Sequence, residues 1–126
     1  MRLEGVHHVA LIVSDYAASR RFYVELLGFE VLRENYQPQR GSWKLDLRAG
    51  DCELELFSIP GAPARPTRPE ALGLRHLAFR VADAEAAARE LAALGIETEP
   101  VRTDPYTGGR FTFFFDPDGQ PLELHE

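Results

Sequence analysis

The stretch GVHHVALIVSD, residues 5–15, returns as GLRHLAFRVAD at residues 73–83, and this duplication narrows the folds open to the chain. His8, Ala10, Val13 and Asp15 reappear as His76, Ala78, Val81 and Asp83, each 68 positions on (8 to 76, 15 to 83). The segments downstream of the two copies are parallel too. Val6 to Val13 is apolar and β-branched, and reads as a strand buried on both faces. Asp15 is placed to cap a helix over YAASRRFYVELLG, with Phe22, Leu26 and Leu27 at helical spacing and Gly28 as its stop. The runs FEVLRENY, SWKLDLRA and CELELFSI then read as three strands. In the second copy HLAFRVAD is the strand and Asp83 caps AEAAARELAALG, which stops at Gly95. IETEPV, RFTFFF and PLELHE supply the strands, with DPDG as the tight turn before the last.

The repeat unit is therefore strand, helix, three strands. Between the copies lies PGAPARPTRPEALG, a Pro-rich connector with no regular structure expected. Module one covers about residues 1–59, the connector 60–73 and module two about 74–126. One copy alone cannot bury its sheet face, so residues 1–126 are expected to form a single α+β domain of two tandem βαβββ modules with curled mixed sheets.

Composition sets bounds on partners. Net charge is −6 with a pI near 5.2, and the arginines Arg65, Arg68 and Arg75 are broken up by prolines, which argues against a nucleic-acid backbone as ligand. The start MRLEGVHHV lacks the apolar core of a signal peptide, and no apolar run approaches the roughly 20 residues that span a bilayer. Cys52 has no second cysteine to pair with, so a reducing, cytoplasmic compartment fits, and it reads as a small buried strand residue rather than a catalytic thiol.

The duplication extends to chemistry. LEL occurs at 54–56 and at 122–124, which places Glu55 and Glu123 at the same 68-residue offset as His8 and His76. Strand alternation turns Leu54, Leu56, Leu122 and Leu124 to one face, against the helices, and the two glutamates to the other. Leu77, Phe79 and Val81 likewise point inward, and His76 and Ala78 away. Two imidazoles and two carboxylates can thus meet on the concave side of a curled sheet. Buried carboxylates need a partner, and a divalent cation is an efficient one. Two independent edge-exposed Glu–His pairs are the alternative.

This constellation, with HHVALIVSD, LGFEV, LELFS, LRHLAFRVAD and DPDGQPLEL, resembles the vicinal oxygen chelate superfamily over essentially the whole chain. That family includes glyoxalase I, fosfomycin-resistance thiol transferases, methylmalonyl-CoA epimerase and extradiol dioxygenases, and paired βαβββ modules are its fold. The resemblance implies that His8, Glu55, His76 and Glu123 are metal ligands as in glyoxalase I. With two waters they would make a six-coordinate site for one divalent ion, Ni, Zn, Co or Mn. Glu55 discriminates, because fosfomycin enzymes and dioxygenases typically use two His and one Glu, and the epimerase commonly has Gln there. The implied activity is a glyoxalase I-like lyase or isomerase acting on a small oxygenated, hemithioacetal-type substrate. Glu123 is the implied proton-transferring carboxylate, and Glu55 the second choice. Thiol transfer, dioxygenation and non-catalytic small-molecule binding are the alternatives. The resemblance also implies a homodimer whose sites take His8 and Glu55 from one chain and His76 and Glu123 from the other.

Two departures bear on the substrate. Glyoxalase I usually has an arginine on its first strand for the glutathione carboxylate, where this chain has Ile12. It also has an asparagine shortly after the second ligand's strand, where this chain has Ile59. Glutathione is therefore not implied by the resemblance. Other residues are weighed on pattern alone. His7 alternates away from His8 and reads as structural or surface; His125 shares the face of Glu123 and either lines the pocket or ends the strand. If the rows Trp43, Leu45, Leu47 and Phe111, Phe113, Phe115 face the helices, then Lys44, Asp46, Arg110, Thr112 and Phe114 face the cavity, as anchors for an anionic substrate or as ordinary solvated strand polars. DPYTGGR is a lid or a plain connector.

Overall fold

A computed structural model describes all 126 residues. They divide into two compact units, Met1–Ala64 and Arg65–Glu126, so the second half of the Pro-rich connector belongs to the second unit.

In the first unit the order is β1 (His8–Val13), α1 (Tyr16–Arg20, continued by a π-helical turn over Arg21–Leu26), β2 (Glu30–Gln37), β3 (Ser42–Ala49) and β4 (Cys52–Ser58). The sheet runs β1-β4-β3-β2, with β1 parallel to β4 and the other pairs antiparallel. The second unit repeats it with β5 (Leu77–Arg80), α2 (Ala84–Ala93), β6 (Arg102–Thr103), β7 (Arg110–Phe115) and β8 (Pro121–His125), ordered β5-β8-β7-β6. Two open, mixed four-stranded sheets, each with one helical segment, make this the α+β plan of two βαβββ modules.

The caps are where the sequence puts them. The Asp15 carboxylate accepts from the Ala18 N–H at 3.0 Å and that of Asp83 from the Ala86 N–H at 3.0 Å, satisfying donors that a first helical turn leaves open. Gly28 and Gly95 come after the helices at φ +77 and +80, a region where a side chain would be strained.

Each core lies between helix and sheet. Leu45, Leu47, Leu54 and Leu56 are fully buried in unit one, with Tyr16 of α1 stacked on Trp43 at 4.8 Å. Leu122, Leu124 and Phe114 do the same in unit two. Each such side chain contributes roughly 1.5–3 kcal/mol by leaving water.

Three local expectations differ. β1 is not buried on both faces: it is an edge strand with one neighbour, alternates in exposure, and only Val13 is fully buried. The first helix changes to π geometry after Arg20. IETEPV is not a strand. Pro100 has no N–H to give a ladder, and this stretch meets β7 through the Glu99 N–H donating to Phe113 O (2.8 Å) and the Thr112 hydroxyl donating to Glu99 O (2.6 Å). Pairing proper begins only at Arg102, opposite Phe111. No helix is long and apolar enough to cross a membrane.

Candidate functional site

In unit one the face away from the leucines is a ladder of charges. Register sets Ala10 beside Glu55, Asp46 across from Glu55, and Arg33 across from Asp46, so alternation brings all the even-spaced neighbours to one side. His8 Nε2 is 3.7 Å from Glu55 Oε2, and Lys44 Nζ is 3.3 Å from Glu55 Oε1. Lys44 also donates to Asp46 Oδ1 at 2.7 Å. Arg33 Nε donates to Asp46 Oδ2 at 2.7 Å, and its second arm donates to Glu53.

Asp46 is 1% exposed. Burial pushes its carboxyl upward, but the hydrogen bonds from Lys44 and Arg33 outweigh that and hold it below the usual aspartate range. For Lys44 burial works downward, and its contacts to Asp46 and Glu55 outweigh it, leaving the ammonium above its ordinary value. Carboxylate oxygens of Asp46, Glu53 and Glu55 lie within 4.8 Å of one another. Arg33 and Lys44 partly neutralise that cluster.

His7, read as structural, touches the site: its Nδ1 is 2.9 Å from His8 Nδ1. One ring donates and the other accepts. When His8 donates, its Nε2, on the Glu55 side, keeps a free lone pair, the arrangement by which a neighbour fixes a ligating histidine.

In unit two His76 Nε2 is 2.8 Å from Glu123 Oε2, with Glu123 buried. The surroundings are aromatic rather than charged. Phe113 stands across from Glu123 and meets the His76 ring edge-on at 5.1 Å. Phe111 stacks on His125 at 5.9 Å, and the Arg102 guanidinium lies over the Phe111 and Phe113 rings at 5.2 and 5.8 Å. His125 thus lies on the Glu123 face, its Nε2 3.8 Å from Asp104 at the start of the DPYTGGR loop. Asp104 ties that loop into a turn, its carboxylate accepting from the Tyr106 N–H at 2.8 Å. A cavity of about 480 Å³, bounded by His76, Phe113, Phe115, Arg102 and the 65–75 segment, opens on this unit.

The structure corrects the expected facing of Arg110, Thr112 and Phe114. Thr112 lies across from Leu124 and Phe114 across from Leu122, and both are fully buried on the helix side. Arg110 donates to Glu126 at 2.9 Å and reaches Asp83 at 3.3 Å, on the α2 side. The cause is one residue of chain length. Eight residues separate the paired Asp46 and Glu55, whereas nine separate the paired Phe113 and Glu123. Because side chains alternate with period two, that single residue exchanges the faces of β7 relative to β3. Lys44, Asp46 and Arg48 are therefore matched in unit two by Phe111, Phe113 and Phe115. The hairpin length was the signal that locates Phe113 on the site face. Lys44 and Asp46 lie beside Glu55 but are engaged with each other and with Glu55 and Arg33.

The donor sets suit a divalent cation. Two ligand atoms each about 2.1 Å from one ion at right angles stand about 3.0 Å apart. The 2.8 and 3.7 Å His–Glu separations bracket that value. Imidazole nitrogen with carboxylate oxygen is also the mixed set that borderline metals take.

Comparison with known proteins agrees with this plan. A model of the Glyoxalase/Bleomycin resistance protein/Dioxygenase superfamily matches residues 5–124. YwkD of Bacillus subtilis is 60% identical over 127 residues, covering 100% of this chain and 99% of that protein. The structure of a glyoxalase family protein from Enterococcus faecalis superposes with a TM-score of 0.93 at 58% identity, with 100% of both chains covered. More distantly, a 2-epi-5-epi-valiolone epimerase from Actinomyces sp. is 35% identical over 143 residues, covering 95% of this chain and 78% of that protein. Trypanothione-dependent glyoxalase I of Leishmania major has a TM-score of 0.72 at 28% identity, covering 97% and 86%.

Proposed function

This chain belongs to the Glyoxalase/Bleomycin resistance protein/Dioxygenase superfamily, and we propose that within it the chain is a metal-dependent lyase or isomerase of glyoxalase I type. Its substrate is a small molecule with vicinal oxygens, such as a hemithioacetal. The observation that carries this reading is the duplicated His–Glu pair, His8 with Glu55 on β1 and β4 and His76 with Glu123 beside β5 and on β8. Glyoxalase I and an epimerase among the relatives both support a reaction that moves a proton on carbon.

His8, Glu55, His76 and Glu123 would hold one divalent ion of the Ni, Zn, Co or Mn class. Bound there, it supplies Lewis-acid polarisation of the substrate's oxygens. Glu123 takes the proton from the carbon next to the carbonyl and returns it to the neighbouring atom, a role its position against Phe113 favours by limiting water. Glu55, tied to Lys44, is the second candidate for that role. Phe113, edge-on to the His76 ring and across from Glu123, packs against this pair.

Each unit supplies only half of a ligand set, so a homodimer sharing its sites is part of the proposal. A cytoplasmic location goes with it, from the lone Cys52. The test is elemental analysis of protein purified without chelators, followed by turnover assays on hemithioacetals of several thiols. The reading predicts about one ion per chain and turnover with at least one thiol. Full metal content after Glu55→Ala and His76→Ala together would remove the ligand assignment, and a fully loaded protein inert with every thiol would remove the lyase assignment.

A further inference from the structure

We propose that the substrate carries a carboxylate or phosphate group, and that Arg65 and Arg68 of the Pro-rich segment receive it in the cavity beside His76. This rests on the reading of His76 as part of the active site. The cavity lies wholly within the second unit and is lined by four arginines and two glutamates. Arg75 is paired with Glu70 at 2.8 Å and Arg102 with Glu99 at 2.7 Å, which leaves two guanidinium groups without a counter-ion. Arg65 reaches only the backbone carbonyls of Leu74 and Arg75, at 3.4 to 3.5 Å. Arg68 makes no hydrogen bond or ion pair.

What sets these two apart from other arginines without an ion pair is that both line one cavity beside His76. The chain as a whole carries −6, and on the matching face of unit one the cations Arg33, Lys44 and Arg48 are all spent on carboxylates, those of Glu30, Asp46, Glu53 and Glu55. Arg65, half-buried, and Arg68, exposed at the cavity's edge, present planar guanidinium forks that match carboxylate and phosphate oxygens, often two bonds at a time. A cleft with local positive charge on an acidic protein also draws anions in selectively. Phe113 and Phe115 also line the cavity, which suits a short carbon skeleton held between an anionic tail and the His76–Glu123 pair. The Pro-rich stretch is thus the recognition wall of the site as well as a link between modules.

The test is calorimetric titration of the purified protein with inorganic phosphate and, separately, with malonate, with metal content measured on the same samples. Saturable binding of either is expected, weakening as sodium chloride is raised. Arg68→Gln, which removes no internal bond, should weaken it at least 10-fold, and Arg65→Gln similarly. Arg89→Gln on α2 makes the same charge change away from the cavity and should bind like the parent. A preference for phosphate or for malonate says which anion the substrate bears. Absence of saturable binding of both anions would overturn the proposal. So would Arg65 and Arg68 variants that bind like the parent, an equal loss in Arg89→Gln, or binding abolished by chelator while insensitive to the arginines. Because this readout needs no turnover, an arginine-dependent site stands even if hemithioacetals are not substrates.

Discussion

Phe113 stands directly across the β7–β8 ladder from Glu123, at the place where Asp46 stands across β3–β4 from Glu55. The two halves of the duplicated ligand set therefore sit in opposite surroundings. Glu55 is held by Lys44, while Glu123 has His76 as its polar partner and an aromatic ring opposite. A carboxylate that shuttles a proton is better served by the second setting. Glu123→Gln should lower kcat by about 100-fold or more, whereas Glu55→Gln should act chiefly through metal content, as steady-state kinetics beside elemental analysis would show.

Asp46 predicts a pH dependence of stability. Its folded-state carboxyl titrates below the usual value because Lys44 and Arg33 favour the charged form despite burial. The stabilisation is therefore present in full above the ordinary aspartate pKa of about 4 and is lost as pH falls through the lower folded value. Asp46→Asn should cost about 1–3 kcal/mol at pH 7. It should also flatten the acid limb below pH about 4 in denaturant titrations; an acid limb as steep as the parent's would contradict this.

Phe114 and Thr112 belong to the core. Phe114→Ala should destabilise by about 3–5 kcal/mol, and Thr112→Val by about 0.5–1.5 kcal/mol for the lost bond to Glu99 O. Neither should change KM in the folded fraction. A raised KM with unchanged melting would return them to the pocket.

How much of this was legible in sequence depends on which periodicity carried it. His8, Glu55, His76 and Glu123 share one offset, and their strands pair in the same parallel register in both units, so the ligand pairs could be read directly. The facing of β7 could not be carried over by that offset, because the β7–β8 segment is one residue longer. Trp43 and the leucine rows obey ordinary strand alternation. The π turn after Arg20 and the non-strand at 96–101 depend on tertiary contacts and on Pro100, which apolar patterning does not register. The connector gave no periodic signal at all, yet it walls the cavity.

Glutathione should be a poor thiol partner. Ile12, 58% exposed, shares the face of His8 and Ala10, and Ile59 lies just past β4. An apolar group opposite a carboxylate leaves it without a counter-ion, at a cost of about 1–3 kcal/mol. The glutathione hemithioacetal should show a KM at least 10-fold above that of the best thiol, and tight saturable glutathione binding in a titration would contradict this.

Mixing tests the shared site. His8→Ala and Glu123→Ala chains each lack one ligand. If sites are built from two chains, exchanging the two variants should regenerate one intact site per heterodimer and about half the parent metal. No recovery under conditions of demonstrated exchange would place each site within one chain.

The break in register between Val31 and Arg33 bears on how the molecule survives at high concentration. β2 is an eight-residue outer strand, the longest unpaired edge in the chain, and such an edge is an open template for strands of other molecules. The bulge kinks it, and Glu30, Arg33 and Glu34 along it carry charge that an incoming strand would have to desolvate. Arg33 and Glu34 are also bound inward, to Asp46 and to Arg20. Charges that order the site face thus also protect the sheet's outer edge, and Arg33→Val would expose the protein to fibre-like self-association as well as loosening Asp46.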